Sequence, residues 1–182
     1  MTRHIVTVAL VLALVSVPSP ANAQHTEPPN GWGFGVGGVV IHLAGSGGDV
    51  QTLGGPALHA SRFLPHGAGF DARVAYFVPT GFYDFTGLSA IVGLSLGVPA
   101  GSHLLLLKGG MTAFVGGNSD GSAGGAVGPY AGAGMLLRVG KHAGLHVDGL
   151  VRFYAGIGGN VSVGSIVAPS LGATLMVVPG GR

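Results

Sequence analysis

The sequence contains no cysteine, so neither a disulfide nor a thiolate metal site holds the fold, even in an oxidising compartment. Charge is almost as scarce. Asp, Glu, Lys and Arg make up 8% of the 182 residues, where a soluble domain carries about 25%. So few ionic groups cannot cover a water-facing surface, and they exclude the dense basic footprint of a nucleic-acid binder. Glu27 is the only glutamate, which leaves little carboxylate for acid–base chemistry. Beyond residue 23 no apolar run reaches the length of a membrane-spanning helix.

What is present is apolar and glycine-rich: 47% hydrophobic residues and 37 glycines, the latter about three times the ordinary share. Residues 1–23 read as a cleaved secretory signal peptide. Arg3 charges the amino end, Ile5 to Val17 is apolar, Pro18-Ser-Pro20 ends that stretch, and Ala21-Asn22-Ala23 supplies a small-x-small cleavage pattern. The apolar stretch is 13 residues long, short of the roughly 20 that a span needs. Residues 24–30 form a polar lead-in and 31–182 a single domain. With Arg3 removed, seven Lys/Arg stand against six Asp/Glu. A chain that is exported, apolar and free of spanning helices has one way to pair its backbone in lipid, a closed barrel. The expected fold class is all-β: an eight-stranded antiparallel up-and-down transmembrane β-barrel after a cleaved signal peptide.

Eight β-like segments carry that expectation, at 31–43, 54–64, 69–78, 88–98, 103–115, 128–139, 144–155 and 164–178. Tight connections at 65–68, 99–102 and 140–143 alternate with longer ones at 44–53, 79–87, 116–127 and 156–163. Short inner turns opposite longer outer loops are the layout of outer-membrane barrels. Within segments the faces alternate: Phe70, Ala72, Val74 and Tyr76 oppose Asp71 and Arg73, and Leu145, Val147, Val151 and Phe153 oppose His146, Asp148, Arg152 and Tyr154. In the first strand two phases compete, Trp32, Phe34, Val36 and Val40 against Val39, Ile41 and Leu43.

The aromatics are expected at strand ends and in loops, in two interfacial bands. Trp32, Phe34, Phe63 and Phe70 lie by the turns; Tyr76, Phe77, Phe82, Tyr83, Phe85, Phe114, Tyr130, Phe153 and Tyr154 lie by the loops. A four-residue turn at 65–68 would pair Phe63 with Phe70 toward lipid and Arg62 with Asp71 toward the lumen, since opposed residues share a face.

Gly128-Pro-Tyr-Ala-Gly-Ala-Gly134, followed by Met135 to Val139, resembles the strand motif of small outer-membrane β-barrel proteins of the OmpA-like and opacity-protein-like type. The resemblance implies an eight-stranded barrel in the outer membrane. One departure is that such barrels end their last strand in an aromatic residue, whereas this chain runs Leu175-Met-Val-Val-Pro-Gly-Gly-Arg182.

The residues that could carry function form a polar set assigned to the lumen: Arg62, Asp71, Arg73, Lys108, Arg138, His146, Asp148 and Arg152. An eight-stranded barrel is just wide enough for side chains to fill, and charges buried there must pair. A structural ion-pair plug is therefore expected, with a narrow pore as the sharper variant. Small inner-face residues, among them Ser89, Gly93, Ser95, Gly132, Gly134, Ser170 and Gly172, relieve crowding.

No catalytic residue, cofactor or metal is expected. Gly33-Phe-Gly35-Val-Gly37-Gly38 fits G-x-G-x-x-G, but more strand follows it instead of the helix a dinucleotide site requires. His59-Ala-Ser61 resembles the His-x-Ser pair of outer-membrane lipid A deacylases, which implies a serine activated by histidine. The register above turns both residues toward lipid. His25, His42, His66, His103, His142 and His146 show no ligand spacing. The expected role is structural or surface-interactive, with outer-membrane lipid as the partner and surface or periplasmic proteins open. A lipid-modifying hydrolase and a soluble secreted barrel for a small apolar ligand are the alternatives.

Overall fold

The computed structural model describes residues 30–44, 50–79, 86–119, 121–159 and 166–178. The signal peptide, the lead-in before residue 30 and the aromatics Phe82, Tyr83 and Phe85 lie outside them. Eight strands follow in order: β1 Gly31–Ala44, β2 Val50–Phe63, β3 Ala68–Pro79, β4 Thr86–Ala100, β5 His103–Gly117, β6 Ala123–Arg138, β7 Ala143–Gly159 and β8 Ile166–Val177. Each pairs antiparallel with the next, and β1 pairs with β8, so the sheet closes on itself. Closure leaves no strand edge unpaired.

Turn chemistry sets one end. Between β4 and β5 only Gly101-Ser102 intervenes, with Gly101 at φ 64°, the first-position glycine of a type II′ hairpin. Connections at this end are two to four residues long, and those at the opposite end five or six. The glycine-rich stretch 116–127 is not a long loop. β5 runs to Gly117 and β6 starts at Ala123, closed by Asn118 N donating to Ser122 O at 2.8 Å. Strand pairing satisfies backbone groups that a loop of such small residues would leave to solvent.

The β2–β3 hairpin corrects the expected register. Leu64 N donates to Ala68 O at 2.9 Å across a turn in which His66 and Gly67 both take positive φ, 74° and 83°. Three residues turn the chain, not four, so Ser61 pairs with Asp71 and Arg62 with Phe70. A one-residue slip moves every side chain to the other face. His59, Ser61 and Phe63 therefore point inward, and Arg62 points out.

Elsewhere the outward face is apolar on every strand, from Trp32, Phe34, Val36 and Val40 on β1 round to Leu171, Leu175 and Val177 on β8. That settles the phase of β1, with Val39 and Ile41 inside. Phe63, Phe77, Phe114, Tyr130 and Tyr154 are buried in the barrel and do not join an outer band. Tyr130 also leaves its expected strand end, because the early start of β6 places it in mid-strand.

Candidate functional site

Alternation delivers the chain's ionic groups to the barrel axis. β3 contributes Asp71 and Arg73, β5 Lys108, and β7 His146, Asp148 and Arg152; β2 adds His59 and Ser61, and all are buried. The neighbouring strands make room. Asp148 is flanked by Gly134 and Gly172, Lys108 by Ser95 and Gly132, and Asp71 by Ser61 and Gly93. A Cβ on Gly172 would sit 2.7 Å from Asp148 Oδ1 and collide with the Arg73 guanidinium. Glycine at that position is thus the space in which the ion pair forms.

The contacts make a closed circuit. Arg73 donates to Asp148 through Nη1 at 3.0 Å and through Nη2. Lys108 Nζ reaches Asp148 Oδ2 at 3.1 Å and also pairs with Asp71 Oδ2. Asp71 Oδ1 accepts Ser61 Oγ–H at 2.9 Å and contacts His59 Nε2. A charge in a low-dielectric interior has to find such partners. The His59 ring lies edge-on to His146, 4.7 Å between centroids. His146 Nδ1 lies 3.7 Å from Asp148 Oδ2, beyond hydrogen-bond reach, so that both His146 ring nitrogens are buried without a hydrogen-bond partner among the described residues.

Arg152 forms a second cluster toward the loop end. It donates to Ser170 Oγ at 3.1 Å, to Ser89 Oγ at 2.8 Å and to Tyr154 OH at 3.4 Å. Thr112 Oγ1 extends the chain to Tyr154 OH at 3.0 Å. All of these partners are hydroxyls. Among the described residues two buried carboxylates face three buried Arg and Lys side chains, and Arg152 is the one whose partners carry no charge.

Of the sequence-derived set, Asp71, Arg73, Lys108, His146 and Asp148 meet in the circuit, with Arg152 above it. Arg62 does not belong: it lies outside, its guanidinium carbon 5.9 Å from the Trp32 ring centroid. Arg138 keeps the inward phase but sits half-buried beside the β6–β7 turn, two residues beyond Leu136. His59, Ser61, Ser89, Thr112, Tyr154 and Ser170 complete the two clusters. For the β7 and β8 members, parity with Asp148 was the available signal; for β2 the turn count hid it.

Apolar side chains lie on both sides of the polar layer. Toward the loops Val39, Ile41, Leu53, Phe77, Phe114 and Tyr154 pack in one cluster. Toward the turns Phe63, Leu104, Leu106, Leu136, Met176 and Val178 pack in another. Ile91, Tyr130 and Leu150 fill the middle, where the Tyr130 ring lies over Gly93 and Gly110.

Ser61, His59 and Asp71 bring together the residue types of an acyl-transfer triad, so the geometry must decide. Ser61 Oγ is 3.1 Å from His59 Nε2, and Asp71 contacts that same nitrogen. His59 Nδ1 is buried without a hydrogen-bond partner among the described residues. A triad needs the serine on one ring nitrogen and the orienting carboxylate on the other. Here both share one, and Asp71 is further held by Lys108. The arrangement is that of a structural hydrogen-bond cluster.

A closed antiparallel barrel of eight strands, apolar outside and ionic along its axis, has the fold of the small outer-membrane β-barrels. Solved structures that share it include the following two. Neisserial surface protein A superposes with a TM-score of 0.70 at 14% identity, over 81% of this chain and 97% of that one. The N-terminal β-barrel domain of Pseudomonas aeruginosa OprF gives 0.53 at 10% identity, over 82% and 99%. The resemblance read in residues 128–139 therefore holds at the level of fold. No protein-family model matches the sequence, and no curated protein matches it.

Proposed function

We propose that this chain is exported, loses residues 1–23, and inserts in the outer membrane as a sealed barrel with a structural or surface-interaction role. Inverted polarity carries the reading. The alternate residues Leu88, Val92, Leu94, Leu96 and Val98 are all exposed while the charges of β3, β5 and β7 are buried. The run from Leu88 to Val98 rises about 33 Å along the strand, or about 25 Å at a tilt of about 40°, which is the height of a lipid-facing band. A soluble barrel for an apolar ligand would need its faces the other way round.

The two apolar clusters support a plug over a pore, since a conducting path needs a wet axis. The hydrolase is not favoured, because Ser61 lies buried between those clusters and its histidine lacks an orienting partner on Nδ1. The decisive variant is Val92→Arg, at mid-strand on the outward face and 62% exposed. In lipid vesicles it should cost about 2–4 kcal/mol of folding free energy, read as a lower urea midpoint by heat-dependent gel mobility. A wild type that stays soluble without detergent, together with a Val92→Arg variant of unchanged stability, would refute membrane insertion.

A further inference from the structure

Arg62, displaced from the lumen by the three-residue turn, stands on the outside next to the sole tryptophan of the chain. Trp32 and Arg62 are direct partners across β1 and β2, and the guanidinium carbon is 5.9 Å from the indole centroid, within cation–π range. Trp32 is 57% exposed and stacks on Phe34 at 6.1 Å. The next rungs toward mid-height are Phe34–Ala60 and Val36–Leu58, all facing outward. Among the described residues the carboxylates, Asp71 and Asp148, both point into the barrel and neither pairs with Arg62.

Apart from Glu27 in the lead-in to β1, the connections between strands divide charge in the same sense. Connections at the turn end hold His66, Lys141 and His142 and no acid, whereas Asp49, Asp84 and Asp120 fall in the connections at the other end, which hold no Lys or Arg. We infer that Arg62 and Trp32 form a headgroup site for an anionic phospholipid of the leaflet facing the turns. The guanidinium edge takes the phosphate, the indole supports its face, and the acyl chain lies along Phe34, Val36 and Leu58. Arg suits this role because its planar fork donates to phosphate while its face stacks on an aromatic ring. The inference rests on the membrane reading above.

Trp32 reports on the site by itself. The chain is folded into phosphatidylcholine vesicles containing one-fifth phosphatidylglycerol, with either the anionic lipid or an equal amount of the zwitterionic lipid brominated on its acyl chains. One interfacial cation is worth about fivefold in local enrichment, so brominated phosphatidylglycerol should quench Trp32 markedly more. Arg62→Gln should equalise the two lipids and Arg62→Lys should keep part of the preference. Lys141→Gln, on the β6–β7 turn, should leave it intact. Equal quenching in an inserted wild type overturns the lipid site alone. So does a Lys141→Gln loss as large as that of Arg62→Gln, which would mean diffuse surface potential. A chain whose gel mobility never becomes heat-dependent in either vesicle overturns the membrane reading and the site with it.

Discussion

Asp148→Asn removes the charge on which the interior turns while keeping side-chain volume. Asp148 takes two Arg73 donors, one at 3.0 Å, and Lys108 at 3.1 Å. Lys108 retains Asp71, so the loss falls on Arg73, which has no other carboxylate among the described residues. A charge pair at about 3 Å is worth about 5.5 kcal/mol at an effective permittivity near 20, and about 1.4 kcal/mol in water. After desolvation, orphaning one member of a buried pair costs about 3–5 kcal/mol. The expected outcome is therefore a loss in that range, unaltered between 0.1 and about 1 M salt, because a buried network is little screened. Urea titration in vesicles, followed by Trp32 emission and gel mobility, measures it. The double variant Arg73→Met with Asp148→Leu should recover most of the loss, since an apolar pair of similar volume often replaces a buried ion pair at little cost. A loss below about 1 kcal/mol that shrinks further in salt would mean solvent reaches the circuit, and the plug would be refuted.

Three further outcomes follow from the same contacts. Arg152→Met should leave stability within about 1 kcal/mol of wild type, since it exchanges a buried cation without a charged partner for two freed serine hydroxyls; Arg73→Met should cost about 3–5 kcal/mol, and equal urea midpoints for the two variants would contradict that ranking. Gly172→Ala should cost about 1–3 kcal/mol by overpacking the Arg73–Asp148 pair, while Ala173→Val on the outward face stays within about 0.5 kcal/mol, both read by thermal gel shift. Ser61→Ala should lose about 1 kcal/mol and leave the lipid acyl composition of expressing cells unchanged by mass spectrometry; a change that depends on Ser61 would favour the hydrolase.

Strand number, order and most faces were legible because three signals coincide: connection-length parity, period-two alternation and the lack of charge. β3, β4 and β7 each carry polar or small residues on one parity and large apolar ones on the other, which locks their phase. β2 has no such asymmetry. Its inward Gly55, Ala57, His59, Ser61 and Phe63 mix as freely as its outward Gly54, Pro56, Leu58, Ala60 and Arg62. Phase there depended on the turn, and a non-glycine residue at positive φ, His66, is uncommon enough that residue count alone misleads. That single unit exchanged Arg62 for His59 and Ser61 in the interior. Strand ends toward the loops were short by several residues on β6 and β7 because glycine looks like loop in sequence, yet pairs like any other backbone once a neighbour is present. On β2 the missed residues are Val50 to Leu53, directly after the run Gly45-Ser-Gly-Gly-Asp49.

The glycine content and the scarcity of charge are then two aspects of one constraint. An eight-stranded barrel leaves an interior that side chains only just fill, so Asp71, Asp148 and Lys108 face small residues on both flanking strands, and Arg73, set between His59 and Ile91, extends into the space left by Gly172. Asp148 lies between two glycines, and Lys108 between a glycine and a serine. In the membrane placement proposed above, a chain built this way can hold a handful of charges inside and tolerates them outside only near the interfaces, where Arg62 and Lys141 would stand. Charges added at outward mid-strand positions would meet lipid, and charges added inside would lack both room and counter-ions. Replacing Gly172, whose added Cβ would first meet the Arg73 and Asp148 side chains, by alanine and those two ions by apolar residues is the redesign consistent with this logic. It should yield a barrel at least as stable, which makes the retained ionic circuit more a matter of fixing one interior arrangement than of adding stability.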